Sequence, residues 1–160
     1  MQKGSLKFFM THRTSSIVFT EAHMDKVFET LTTVDEELKK HFQNYLLEKD
    51  KNDLSERLAY FDIFEIARFI VDKIKSGQTD FLPIIFKQVE AILACCDTYI
   101  ENLIVVGLFE GIQNLGGFQI DYYKGFDKWL QPLSKQKWDN LIDSWEGQEW
   151  RNKGDSPKIS

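Results

Sequence analysis

The chain is poor in the residues that carry recognisable chemistry, having two cysteines and three histidines among 160 residues. Cys95 and Cys96 are adjacent in the apolar stretch AILACCD. Neighbours on a helix point about 100° apart, so two thiols so placed are poor partners for each other. They are expected to be buried small hydrophobes in a reducing compartment, and a disulfide framework is excluded. His12, His23 and His41 show no H-x-x-x-H spacing and lie far from the cysteine pair. On a straight helix His23 and His41 would stand about 27 Å apart, too far to share an ion. They are expected at the surface, and no metal site is expected.

Long apolar runs are missing too. None approaches the ~18 residues that suggest a membrane span, and the first twenty residues lack the sustained apolar core and small-residue cleavage site of a secretory leader. The expectation is a soluble cytoplasmic protein. No G-x-S-x-G elbow or Walker loop occurs, and the glycines of GLFEGIQNLGG fall within or after a predicted helix rather than ahead of one. Consecutive acids such as Asp35-Glu36-Glu37 splay around a helix instead of converging on one atom. Neither catalytic residues nor a cofactor are expected, so the chain does not read as an enzyme.

What the sequence has is helical periodicity. The stretch Tyr99 to Gly117 is its organising element: Leu103, Ile104, Val105, Val106, Leu108, Phe109 and Ile112 point in nearly every direction of a helix, which predicts a central post surrounded by other elements. Gly107 and Gly111 lie four apart on one face and would let a neighbouring backbone approach closely, at a cost of about 1 kcal/mol each in helix propensity. The β-branched run also fits a buried strand; the spacing of Tyr99, Leu103 and Val106 and the Gly-Gly stop favour a helix with a glycine C-cap.

Around this post, Val27, Leu31, Val34, Leu38, Phe42 and Tyr45 line one helix face from Thr20 onward. A bend or split is expected near Thr32-Thr33, where Thr33-x-x-Glu36 resembles a capping box. EKDKND, residues 48 to 53, reads as a charged connector and Asp53-x-x-Glu56 as a further capping box. Leu58, Phe61, Phe64, Ile66, Phe69, Ile70 and Ile74 load the next helix, whose phenylalanines are expected in the core. Pro83 fits the first turn of a helix with Phe81, Ile84, Ile85, Phe86, Val89, Ile92 and Leu93 on its buried side, turning at Asp97-Thr98 into the central helix as an antiparallel hairpin. Ser134 is read as capping a last helix, Lys135 to Glu146, with Trp138, Leu141, Ile142 and Trp145 inward. The expected fold is all-α, a single-domain array of about five to seven helices around residues 99–115. Residues 1–19 are expected to form a loose arm, 20–147 the helical domain and 148–160 a polar, mobile tail.

The formal charge of −5 divides into +3 over residues 1–20 and −8 over residues 21–160. From Asp80 to Tyr123 six acids face the single base Lys87. Such a region repels nucleic acid and steers a basic protein surface toward it. Glu101 and Glu110 interrupt the most apolar helix half a turn out of phase, so they are expected on different faces; a structural hydrogen bond is the favoured role for Glu110, partner contact the other.

The segment from FEIARFIVDK through ENLIVVGLFEGIQN, followed by LQPLSKQKWDNLIDSWEG, resembles the small helical immunity proteins encoded beside bacterial polymorphic toxins, including those of contact-dependent growth inhibition. The likeness covers roughly residues 60 to 147 and rests on GLFE and the L-x-P-x-S-x-x-x-W run from Leu130 to Trp138. It implies a protein that binds a cognate toxin domain, commonly a basic nuclease, and neutralises it by direct, electrostatically guided contact; it brings no catalytic residues. On this reading the candidate contacts are Glu90, Asp97, Glu101 and Asp121, with Tyr122 and Tyr123 as aromatic anchors, and no nucleic acid or membrane is a partner. The rival reading is a helical-repeat adaptor for another protein.

Overall fold

The computed structural model describes residues 24–51 and 58–153. The expected arm, the Thr20 start and the Asp53/Glu56 box lie outside these residues. The elements are α1 (residues 24–32), α2 (Glu36–Lys51), α3 (Ala59–Lys75), α4 (Leu82–Cys95), a rod formed by α5 (Thr98–Asn102), a π-helical stretch (Leu103–Phe109) and α6 (Glu110–Gly116), and α7 (Pro132–Glu146). With the rod counted once, the described residues form six helices and no strand. The fold is all-α, and the strand alternative for Ile104 to Val106 falls away.

The split expected near Thr33 is present, but with a different cap. Thr32 and Thr33 turn their hydroxyls back onto the carbonyls of Phe28 and Glu29, each at 2.7 Å, and Asp35 accepts the Leu38 amide at 2.9 Å to start α2. Helix α2 then runs on through Glu48 to Lys51, the first four of the residues read as a charged connector; the last two lie outside the described residues. Lys49 is buried there, 2.8 Å from the buried carboxylate of Asp62 on α3, which also accepts the Tyr45 hydroxyl at 2.9 Å. Burial, and then the bond to Asp62, hold the Tyr45 phenol well above its ordinary range. A buried lysine needs a partner in the fold, and a linear reading of EKDKND cannot supply one.

The rod packs most closely on α3, while α4 makes its own close approach to α7. This replaces the expected hairpin of α4 against the central helix. The two glycines are the reason: a Cβ at Gly107 would collide with the Ile63 side chain, and one at Gly111 would lie 3.1 Å from Ala67 Cβ and 3.2 Å from the Phe64 ring. Positions 60 and 63 meet 107, and 64 and 67 meet 111, so α3 and the rod advance in the same direction. The Glu110 amide reaches back to the Val105 carbonyl, a π-type bond over the stretch where β-branched residues precede Gly107.

The post is not enclosed all round. Leu103, Ile104, Leu108, Phe109 and Ile112 are buried, but Asn102, Val106 and Asn114 are exposed and Glu110 is half-buried, leaving one stripe open. On the opposite side Trp138 of α7 stacks on Phe126 at 4.5 Å between ring centres and meets Phe109 edge-on at 5.2 Å and Phe86 at 6.4 Å. These four buried rings join α4, the rod, the 117–131 connection and α7 into one core.

The last helix begins earlier than expected. Gln131 is its N-cap and Pro132 its first residue, with Ser134 accepting the Gln131 amide at 2.9 Å from the third position. Trp145, expected inward, is 58 % exposed. Beyond Gly147 the chain does not run free at once: Glu149–Asn152 form a 3-10 turn with Trp150 buried, its indole donating to Asp143 at 2.9 Å. Arg151 grips the same carboxylate and, with Trp150, holds it below its ordinary range. The rest of the expected tail, residues 154–160, lies outside the described residues. Cys96 is half-buried and Cys95 exposed, both free thiols, so the latter is not the buried hydrophobe expected.

Candidate protein-binding surface

The acids singled out from the sequence are engaged within the fold, most of them around α7. The Glu90 carboxylate on α4 accepts the amides of Leu133 at 2.7 Å and Ser134 at 2.8 Å, closing the first turn of α7 with a negative charge where the helix dipole favours one. Glu101 lies 2.7 Å from Lys137 of α7. Asp97 caps α5 through the Ile100 amide at 2.9 Å. Asp121 accepts the amides of Tyr123 and Lys124 at 3.1 and 3.3 Å, shaping the connection ahead of α7. Tyr122 and Tyr123 stack at 4.4 Å and both donate their hydroxyls to Glu146 at the end of α7, while the Trp138 indole donates to the Tyr122 carbonyl at 2.8 Å. Burial and then the bond to Glu146 push both phenols above their ordinary range. The six residues therefore form no single patch of unengaged contacts; they serve local structure first.

A different surface lies where α3 meets the rod. A groove of ≈ 450 Å³ runs along Tyr60, Phe61, Phe64 and Arg68 on one side and Val106, Glu110 and Asn114 on the other, floored by Gly107 and Gly111. The glycines create it, since two helices this close leave their flanking side chains to form walls. Phe61 is 66 % exposed and Val106 46 % exposed. Tyr60, also exposed, meets the exposed Tyr99 edge-on at 6.5 Å, extending the aromatic surface along the rod. Large apolar side chains gathered in this way are uncommon on a surface that meets only water.

The charges of this groove are unequal in state. Arg68 lies over the Phe64 ring at 5.6 Å and 3.4 Å from Glu65. Glu110, half-buried between Val106 and Asn114, has neither a hydrogen bond nor an ion pair among the described residues. The structural bond favoured for it from the sequence is not found among the described residues, and it stands on a different side of the rod from Glu101, as their phase requires.

Sequence reasoning missed Tyr60, Arg68 and Val106 as site residues and assigned Phe61 and Phe64 to the core. Ala59, Ile63, Ile66 and Ile70 already complete the buried face of α3, so the aromatic residues at 60, 61 and 64 exceed what one face can bury. That surplus was the available signal.

An apolar hollow of ≈ 280 Å³ between α1 and α4 is lined by Val27, Ile92, Cys95 and Cys96. Among the described residues no group of three or more His, Cys, Asp or Glu side chains is placed to hold a metal ion, and no helix is long and apolar enough to cross a membrane.

Compared with known proteins, residues 25–146 match a family model described as Domain of unknown function (DUF7674). Neither the curated proteins nor the solved structures include a match to the chain.

Proposed function

We propose, from the premise that the chain belongs to the DUF7674 family, that it acts by binding another protein and that it is an immunity protein which neutralises a cognate toxin domain. The observation that carries this reading is the exposed aromatic groove between α3 and the rod: a fold that buries Trp138, Phe86, Phe109 and Phe126 completely still leaves Tyr60, Phe61 and Val106 outside. Rigid aromatic side chains around a shallow hollow are what interface hot spots are made of. The resemblance of GLFE and the Leu130 to Trp138 run to helical immunity proteins supplies the kind of partner, and the acidic balance of residues 21–160 supplies its sign: a basic protein, with a nuclease domain the leading candidate. Binding blocks the toxin without catalysis by this chain, in the cytoplasm.

Within this reading the acids Glu90, Asp97, Glu101 and Asp121 contribute to the long-range field that speeds encounter, and the groove supplies the contact that holds the complex. Co-expression with the polypeptide encoded beside it is the test. The expected result is a co-purifying complex and restored growth, lost when Phe61→Asp places a charge in the groove. A neighbouring polypeptide that neither harms growth nor co-purifies would overturn the assignment.

A further inference from the structure

We infer that the groove recognises a cationic side chain, an arginine or lysine projecting from the partner protein, seated between the Glu110 carboxylate and the rings of Tyr60 and Phe61. The inference rests on the protein-binding reading above and names the chemistry of the occupant.

Three observations carry it. First, Glu110 is half-buried and unpaired among the described residues, whereas carboxylates such as Glu90, Asp97, Asp121, Asp139 and Glu146 have hydrogen-bond donors in the fold. A carboxylate partly withdrawn from water and left without a donor is a standing acceptor, and a charge-assisted bond to guanidinium or ammonium fills it best. Second, the walls beside it are aromatic, and ring faces attract cations at distances up to about 6 Å. Phe64 already shows the preference within the molecule, since the Arg68 guanidinium lies 5.6 Å over its ring. Third, the other charge of the groove is accounted for. Arg68 leans on Phe64 and toward Glu65, so among the described residues nothing neutralises Glu110 and no cation occupies the Tyr60–Phe61 end of the groove. An aliphatic helix would cover the rings equally well but would bury the Glu110 charge without a donor, which is why the occupant must be basic.

The test uses the full chain and three short peptides: hexa-arginine, hexa-lysine and an uncharged Gly-Ser hexamer. Amide chemical shifts are followed during titration of the wild type, Glu110→Gln and Phe61→Ala. Both basic peptides are expected to move the amides of Val106, Gly107, Glu110 and Gly111, the Gly-Ser peptide none of them. Affinity should fall by roughly fivefold or more in either variant, and weaken with added salt as exposed charge pairs do. Because Glu110 and the exposed Phe61 ring support little of the fold, both variants should keep the wild-type spectrum elsewhere. Shifts confined to another acidic surface, unchanged affinity in Glu110→Gln, or tighter binding in that variant would overturn the inference, the last by revealing an apolar occupant. Peptide binding in the groove without a toxin partner would leave the groove assignment standing and remove the immunity reading. A toxin complex indifferent to Glu110→Gln would do the reverse.

Discussion

The two sides of the rod use the same residue types in opposite ways. Toward α7, aromatic rings are buried against one another and carboxylates receive amides, hydroxyls or ammonium groups. Toward α3, aromatic rings stand half outside and Glu110 has no donor among the described residues. The difference teaches that a count of acids measures the field around a molecule and not the supply of contacts. Glu90 looks like a surface charge in the sequence and is a helix cap in the fold; Glu110 looks like a core liability and is a carboxylate unpaired among the described residues, beside the exposed rings. Function is to be sought where the fold leaves its own strongest groups unanswered.

Truncating one ring on each side gives the largest contrast. Trp138→Ala removes a fully buried side chain from the four-ring core and should cost about 3–5 kcal/mol, enough to threaten folding outright. Phe61→Ala should change stability by no more than about 0.5 kcal/mol. Urea unfolding of both variants checks the pair, and a Phe61→Ala cost comparable with that of Trp138→Ala would break the division between core and surface. A smaller effect is expected where the two sides are joined. Gly107→Ala drives a methyl into Ile63 and should cost about 1–3 kcal/mol by forcing α3 off the rod. In the double variant with Ile63→Ala the penalties should fall short of their sum, because the second change removes the clashing atom. Strict additivity would mean that the glycine is not the hinge of the packing.

Much of this fold was legible from the sequence, and the limits have physical causes. The rod, the break near Thr33 and the notch at Gly107 and Gly111 could be read because each arises from spacing along one element. The pairing of Lys49 with Asp62 could not, since it joins residues on different helices through a connection whose path is not a local property. The rod's preference for α3 over α4 was likewise hidden: the glycines announce a close neighbour without naming it. The site was less legible than the fold. Seven acids and tyrosines were considered for contact, and their hydrogen bonds, which separate Glu110 from the other six, are tertiary facts. The surplus of aromatic residues at 60, 61 and 64 was visible but invited assignment to a core that was already full.

The smallest expected effect separates the two kinds of carboxylate directly. Glu90→Gln keeps the shape of the side chain but leaves one carbonyl oxygen where two amides of the first turn of α7 had acceptors; the new amino group would face a donor. The loss should be about 1–2 kcal/mol, read as a lowered urea midpoint with an unchanged slope. The same substitution at Glu110 removes no bond within the described residues, so its midpoint should stay within about 0.5 kcal/mol of the wild type while binding of a basic peptide declines. Equal losses at the two positions would mean that Glu110 also serves the fold, and the open side of the rod would then have no unanswered charge to offer a partner.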